Sequence, residues 1–333
     1  MSARLTVCIP AYNRPDFLRD ALHSLCDQGL SREDYRVVVV DDASPVPLQG
    51  VVSDFADRLD IAYERNHRNL GHLANFERAA QLAETPWLSL LSHDDVVSPG
   101  HLGRCVSVIE SRPDVSMVAS LILCHRYPGA PDTRAQGLFL RRQAASYTTI
   151  YQWERAEWMA LALVGTPLSM IGSVLSVAAL AQCARWKTYP VWHDRMMLAE
   201  MALHGEVISL PWIGGYYRVG EGQLSHQLWA NGMDEFRAAS DGVLEMCAEH
   251  GIAVTDYWVT VITGAPAEDR ILYLTLLHQA VARDTYLSIK GRCEEALQQR
   301  LHLGGRLDRL GLPTPLINAL RSFDRRVIRR QPS

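Results

Sequence analysis

The sequence predicts an α/β fold in which a mainly parallel β-sheet carries helices on both faces. Short apolar runs alternate with segments of helical periodicity over residues 5 to 124, and this order is typical of parallel sheets built from strand–helix–strand units. The runs are apolar at nearly every position, as expected for strands that are buried on both faces. Ligands of such sheets bind outside the carboxyl ends of the strands.

The first two strands are predicted at Leu5–Ile9 and Tyr35–Val40, which are short apolar runs ended by Pro10 and by an Asp-Asp pair. Between them, Asp16–Gln28 has apolar residues at helical spacing and is closed by Gly29. The same alternation continues through a helix at Leu48–Leu59, a strand at Ile61–Glu64, a helix at Ala74–Leu82, a strand at Trp87–Leu91, a helix at Pro99–Ser111 and a strand at Val115–Cys124.

After residue 126 the pattern is looser. It predicts a helix at Tyr151–Leu163, a strand at Ser169–Val177 and a helix at Met196–His204. Beyond residue 230 only helical patterns remain, at Glu235–His250, Ile271–Asp284, Glu294–Leu303 and Leu316–Arg330. The sequence therefore predicts a domain over residues 1–225 and a helical C-terminal extension over residues 226–333.

Composition excludes several classes of protein. The hydrophobic fraction of 48% and charged fraction of 21% are ordinary for a globular protein, and the net charge of −4 gives no basic field for nucleic acid. The seven cysteines show no Cys-x-x-Cys pair, which favours reduced thiols. Neither a signal-peptide pattern nor an apolar run of about 20 residues occurs. We expect a cytoplasmic protein.

Three polar clusters follow predicted strands: Pro10–Asn13, Asp41–Ser44 and Ser92–Asp95. Parallel strands bring these clusters to one edge of the sheet. Two adjacent carboxylates, Asp94 and Asp95, are unfavourable unless a cation or donor lies against them, and oxygen ligands suit a divalent cation that also binds phosphates. The alternative is an ordinary loop and helix cap. The glycine signatures of dinucleotide-binding and P-loop proteins are absent.

Four segments together carry a family resemblance. Val7–Arg14, Val39–Ser44, Arg68–Gly71 and Leu91–Asp95 resemble, in order and spacing, the motifs of the family 2 inverting glycosyltransferases of GT-A fold. The match covers about residues 3 to 112 and continues more weakly to about residue 225. The resemblance implies a Rossmann-like GT-A domain with a nucleotide-sugar half at 1–112 and an acceptor half at 113–225.

The resemblance also implies the residues that bind the donor. Asp42 would accept the base N–H, which suits the imide of uracil or thymine, while a turn cap is the role expected for Asp41. Tyr12 would stack on the base, or else pack in the core. Arg68 and Asn75 could contact the nucleotide or lie in a solvated loop. The nucleotide-binding set is Pro10, Ala11, Tyr12, Asn13, Asp42, Asn69, Asp94 and Arg218.

A divalent cation, Mn²⁺ or Mg²⁺, is implied as cofactor. By the resemblance, Asp95 is its ligand and Asp94 lies near the ribose, with Asp94 as a possible second ligand. Ser92 and Gly220 stand where many relatives have a further acidic or histidine ligand, so the third protein ligand is open. His93 is a weaker candidate, since its side chain is expected to point away.

Inverting transfer is one in-line displacement, so a carboxylate must take the proton of the acceptor hydroxyl. The resemblance implies Asp194 as this general base, with His193 where relatives often have Glu; the alternative for Asp194 is a helix N-cap. Ile213–Ser225 is rich in glycine and predicts a mobile lid over the donor.

The predicted function is transfer, with inversion, of a sugar from a UDP- or dTDP-type donor to a hydroxyl of a saccharide, lipid-linked or small-molecule acceptor. A catalytically silent nucleotide-sugar-binding subunit is the first alternative, and a sugar-nucleotide pyrophosphorylase is the second. The basic amphipathic segment Leu316–Arg330 predicts packing on its own domain or a homo-oligomer, or peripheral contact with the inner face of a membrane.

Overall fold

The computed structural model describes residues 4–126, 149–165, 168–219, 233–265 and 267–307. The strands in these ranges are β1 (Leu5–Ala11), β2 (Tyr35–Asp41), β3 (Ile61–Arg65), β4 (Trp87–Leu90), β5 (Val96–Val97), β6 (Val115–Arg126), β7 (Tyr151–Gln152), β8 (Val174–Ser176) and β9 (Glu206–Val219). The helices are α1 (Pro15–Leu25), α2 (Gln49–Ser53), α3 (His72–Gln81), α4 (His101–Ser111), α5 (Arg155–Val164), α6 (Val177–Leu180), α7 (His193–Met201), α8 (Met233–Glu249), α9 (Val254–Gly264), α10 (Ala267–Ala280) and α11 (Arg283–Leu307).

The described strands form one sheet in the order β3-β2-β1-β4-β8-β6-β9-β5, with β7 paired to β9. Neighbours β1, β2, β3 and β4 are parallel, as are β6 and β9. Strand β8 is antiparallel to both β4 and β6, so β6 and β9 run in the same direction as the first four strands. The mainly parallel α/β sheet predicted from the sequence is confirmed.

Helices cover both faces of the sheet. Leu5, Val7 and Ile9 of β1 belong to one buried cluster with apolar residues of α1, α2 and α4. Helix α3 packs against β1, β2 and β4. The chain moves from β1 outward to β2 and β3, and then returns past β1 to β4. Because crossovers between parallel strands are right-handed, this reversal places α3 on the face opposite α1 and α2. The two faces explain why β1 and β2 are apolar at nearly every position.

Strand β9 is the largest difference from the sequence prediction, which gave a mobile lid over residues 213–225. Residues 213–219 lie in β9, and residues 220–225 are outside the described ranges. A Cβ atom on Gly214 would lie 2.7 Å from the His101 ring and from Ser120, and one on Gly215 would lie 2.6 Å from Ile171. These glycines therefore permit close packing within the sheet; their mobility is not required.

Shorter differences follow from local sequence. The predicted helix Tyr151–Leu163 is divided into β7 and α5, because Tyr151 and Gln152 pair with β9 before the helix starts at Arg155. The predicted strand Ser169–Val177 is reduced to β8, since Gly172 has φ +69° and turns the chain before the strand begins.

The chain separates into two compact units, residues 1–246 and 247–333. The predicted boundary at residues 225/226 and the basic segment 316–330 fall outside the described ranges, so both stay predictions. Helices α9, α10 and α11 of the second unit support the expected helical C-terminal extension. Within the described ranges, no helix has the length and apolar character needed to cross a membrane.

Candidate functional site

The three polar clusters lie at one edge of the sheet, as the sequence predicts. In the register, Ala11 is level with Asp41, and Cys8 is level with Leu90. Hydrogen bonds also join the clusters: the Asn13 amide donates to Ser44 Oγ at 2.9 Å, and His93 Nδ1 lies 3.3 Å from the Pro10 carbonyl oxygen. We call this edge the carboxyl rim.

Asp41 caps the turn after β2. Its carboxylate accepts from the Ser44 hydroxyl at 2.5 Å and from the Tyr63 hydroxyl at 2.5 Å, and it also accepts the amides of Ser44 and Leu48. Burial by itself would raise the pKa of Asp41, but these hydrogen bonds outweigh it and hold the pKa below its usual range. Asp41 is thus a structural residue of the rim.

Asp42 fixes the loop that leads into α3. One carboxylate oxygen accepts from Asn66 Nδ2 at 2.7 Å and the Leu70 amide at 2.8 Å, and the other accepts the Gly71 amide at 3.0 Å. Asn75, which the sequence offered as a nucleotide contact, is buried and donates to the Val40 carbonyl. Asp42 is buried and both of its oxygens already accept hydrogen bonds from the protein, so its role in accepting a base N–H stays a prediction.

The other residues predicted to bind the nucleotide differ in accessibility. Pro10 and Ala11 are buried in β1, whereas Tyr12 is 42% exposed at the rim and is available for stacking. The alternative of a packed core tyrosine does not fit this exposure. Asn13 is exposed with φ 51°, a conformation that asparagine tolerates, and Asn69 is exposed on the loop held by Asp42.

Asp94 and Asp95 lie between β4 and β5, and the two side chains differ in burial. Asp95 is 2% exposed and accepts the Arg218 amide at 3.0 Å, whereas Asp94 is partly exposed. Burial, followed by the neighbouring Asp94 charge, raises the pKa of Asp95 well above its usual range.

This pair fits the implied divalent cation. The donor atoms are carboxylate oxygens, and a cation would relieve the burial and repulsion that raise the pKa of Asp95. In the described part of the chain, no three His, Cys, Asp or Glu side chains are arranged to hold a metal ion. Any ion here would need further oxygen ligands from substrate or water.

Arg218 connects β9 to the rim. Its backbone amide binds Asp95, and its guanidinium pairs with Asp20 at 2.8 Å and lies 4.3 Å from the centre of the Phe17 ring. Arg14 lies over the same ring at 3.4 Å. Two cations thus border the rim beside the carboxylate pair.

Asp194 lies in the first turn of α7 and is not its N-cap, which is Trp192. Its carboxylate accepts the Arg195 amide at 2.7 Å. Burial raises the pKa of Asp194 above its usual range. A raised pKa suits a carboxylate that must take a proton.

The residues around Asp194 hold its backbone. Arg195 is fully buried and donates to the carbonyl oxygens of Ala162 and Leu163 and to Ser240 Oγ. Glu235 of α8 accepts the backbone amides of residues 191 and 192, just before the helix. These contacts make the position of Asp194 a rigid feature of the first unit.

His72 joins the two carboxylate regions, and the sequence analysis did not identify it. It is the first residue of α3, and its ring centroid lies 4.9 Å from that of buried His193. The residue is exposed, but the protein atoms packed around its ring, followed by His193, lower the pKa of His72 to about 4. His72 therefore packs against the residue that precedes Asp194.

The only sequence signal for His72 was its place after the Arg68–Gly71 motif. The support from Asn66, Tyr63 and Glu235 also could not be read from sequence, because each contact joins residues more than 20 positions apart. A cavity of about 380 Å³ lies elsewhere, at the amino ends of β6 and β9, and it contains none of the predicted site residues.

Known proteins are similar to this chain. The sequence model of Glycosyl transferase family 2 matches residues 6–151. The succinoglycan biosynthesis protein ExoW of Rhizobium meliloti is 37% identical over 110 residues, which are 30% of this chain and 32% of that protein. The chain spans about a third of the length of the curated relatives it matches.

Two solved structures have a similar fold. The Staphylococcus aureus protein TarS (residues 1–349), in complex with UDP-GlcNAc, superposes with a TM-score of 0.56 at 15% identity, covering 89% of this chain and 92% of that one. The mannosyltransferase PcManGT from Pyrobaculum calidifontis, in complex with GDP-Man and Mn²⁺, superposes with a TM-score of 0.53 at 14% identity, covering 97% and 85%. Both likenesses concern the fold.

Proposed function

We infer that this chain, whose residues 6–151 match the model of glycosyl transferase family 2, transfers a sugar from a nucleotide-sugar donor to a hydroxyl acceptor with inversion at the anomeric carbon. The observation that carries the proposal is the geometry around His72: the residue follows Gly71, whose amide is held by Asp42 of the carboxyl rim, and its ring packs against His193, which precedes Asp194. An in-line displacement needs this arrangement, since leaving group and attacking hydroxyl lie on opposite sides of the reacting carbon.

In the proposed reaction, the carboxyl rim binds the nucleotide. Tyr12 stacks on a uracil or thymine base, Asp42 accepts its N–H, and Asp94 contacts the ribose. Pro10, Ala11, Asn13 and Asn69 form the surrounding wall. Arg218 leaves Asp20 to approach the diphosphate, to which a guanidinium is well matched.

Asp194 acts as general base. Its carboxylate takes the proton of the acceptor hydroxyl as the oxygen attacks the anomeric carbon and the bond to the diphosphate breaks. The raised pKa and fixed backbone of Asp194 support this role.

Asp95, with Asp94 as second ligand, would hold Mn²⁺ or Mg²⁺ together with oxygens of the diphosphate. When bound, the cation offsets the negative charge that develops on the departing nucleoside diphosphate. The Mn²⁺ and GDP-Man bound to PcManGT support this assignment through a shared fold.

The test is a thermal-shift panel of UDP-, dTDP- and GDP-sugars, each with and without Mn²⁺, followed by donor hydrolysis and NMR of the product's anomeric configuration. We expect one nucleotide class to raise the melting temperature in a cation-dependent manner and its sugar to be released or transferred. Binding without turnover in the presence of any saccharide acceptor would favour the silent-subunit alternative. No binding of any nucleotide-sugar would contradict the proposal as a whole.

A further inference from the structure

We propose that His72 is a specificity-determining residue that hydrogen-bonds a hydroxyl of the transferred sugar. The inference rests on the proposed function, because it places the sugar between the donor carboxylates and the general base. It assigns a contact to a residue that the sequence motifs do not identify.

The position of His72 is fixed from the nucleotide side. It follows Gly71, whose amide donates to Asp42 at 3.0 Å and whose φ of +85° turns the chain into α3. Helix α3 packs against β1 and β2, the two strands that end in the predicted nucleotide wall. The backbone that forms the predicted nucleotide wall therefore also fixes the position of His72.

The ring of His72 is supported from the other side by residues next to the general base. Its centroid lies 4.9 Å from that of His193 and 5.8 Å from that of Phe76, and these two rings are 5.0 Å apart. His193 and Phe76 are 5% and 1% exposed, whereas His72 is the exposed member of the three. In this cluster the His72 imidazole is accessible to a ligand, while the two rings that pack against it, His193 and Phe76, are buried.

The neighbours of His72 locate the sugar. On one side His72 follows Gly71, which Asp42 of the proposed donor side holds, and on the other its ring contacts His193, which precedes the proposed general base Asp194. In a displacement between these two sides, the transferred sugar occupies the space between them. His72 is therefore adjacent to the sugar rather than to the base of the nucleotide.

The chemistry of the ring suits a hydroxyl. In its neutral form the imidazole has one nitrogen that donates and one that accepts. A sugar hydroxyl both donates and accepts, while a diphosphate would be bound better by a permanent cation. A site built to bond a hydroxyl rejects analogues that lack it.

The test compares His72→Phe with His72→Gln in the full chain. Phe keeps the edge contacts with His193 and Phe76 but has no hydrogen-bonding nitrogen, whereas Gln keeps a polar group and loses the ring. His67→Phe, exposed on the preceding loop, is the matched control. Calorimetry measures the Kd of UDP, dTDP and GDP, and of UDP-glucose, UDP-GlcNAc, dTDP-glucose and GDP-mannose.

For the nucleotide-sugar that the wild type binds, we expect His72→Phe to raise Kd about five- to tenfold, the worth of one neutral hydrogen bond. The Kd of the free nucleoside diphosphate should stay unchanged, His72→Gln should recover part of the loss, and His67→Phe should match the wild type. Equal effects on sugar and free diphosphate, or a Phe variant that binds like the wild type, would overturn the assignment of His72 alone. A wild type that binds no nucleotide-sugar would overturn the proposed function and this inference with it.

Discussion

The role of each aspartate in the site depends on the contacts around it more than on the sequence motif to which it belongs. Asp41 and Asp42 are adjacent in sequence, yet the first is the cap of a turn and the second holds the loop before α3. Asp94 and Asp95 differ in the same way, because one is partly exposed and the other is buried against the Arg218 amide. The motifs identified these positions, but long-range contacts decide what each carboxylate can do.

We expect Asp194→Asn to lower kcat at least about 100-fold, since the amide cannot accept the acceptor's proton. Nucleotide Kd should remain within twofold of the wild type. In the wild type, kcat/KM should rise with pH through the raised pKa of Asp194 and then level off, because only the ionised carboxylate is active. Asp54→Asn, at an exposed ion pair with Arg19, is the control; an Asp194→Asn variant with full activity would exclude this base.

Asp95→Asn should stabilise the protein in the absence of metal. The folded-state pKa of Asp95 is raised, so wild-type stability is fully present below the usual pKa of aspartate and is lost as pH rises through the raised value. Asparagine carries no charge and keeps an oxygen for the Arg218 amide. Thermal melts in EDTA should show a higher Tm for the variant at pH 7, by a few degrees for about 1 kcal/mol, and convergence near pH 3.5. A lower Tm at pH 7 would contradict the assigned cause.

At the scale of elements, the first half of the domain was predictable because its strands and helices are separated by strong turn signals. Strand β9 was not, because Pro211, Gly214 and Gly215 interrupt its pattern and suggest a loop. Gly214 and Gly215 are required by contacts with α4, β5 and β6 that only the fold reveals. Similarly, β8 has three residues and was overestimated from a longer apolar run.

Gly214→Ala should destabilise the first unit by about 1–3 kcal/mol, the range for an overpacked interior. The new Cβ would lie 2.7 Å from the His101 ring and from Ser120, and neither is the flexible end of a long side chain. Gly50→Ala is the matched control, since it lies in α2 with nothing within 4 Å of a Cβ; alanine there should be neutral or stabilising. Urea unfolding of both variants measures the difference, and equal stabilities would show that β9 has room to move.

For the whole molecule, two buried neutral histidines predict sensitivity to acid. Burial lowers the pKa of His101 and of His193 to about 4 each. A group whose folded pKa is depressed loses its stability contribution as pH falls, here from about 6.5 toward 4. Protonation of each histidine should lower the free energy of unfolding by about 2 kcal/mol between pH 7.5 and pH 5. Urea unfolding of the wild type and of His101→Gln at the two pH values measures this, because the carboxylates with raised pKa, Asp95 and Asp194, are common to both proteins. The loss of stability toward pH 5 should be smaller in the variant, and an equal pH dependence in the two proteins would contradict the prediction.

The short strand β8 has a consequence for the order in which the protein assembles. Among the described strands it alone joins β4 to β6, with Leu175 paired to Leu88 on one side and to Met117 on the other. Strands β1 to β4 pair with one another over residues 5–90, so this block can form on a ribosome before β8 has been synthesised. We expect a nascent chain to form the part of the proposed nucleotide surface that lies on β1 to β4 before it acquires the Asp194 side, whereas Arg218 joins that surface last. The proposed donor site would therefore be completed only after the proposed general base has been synthesised.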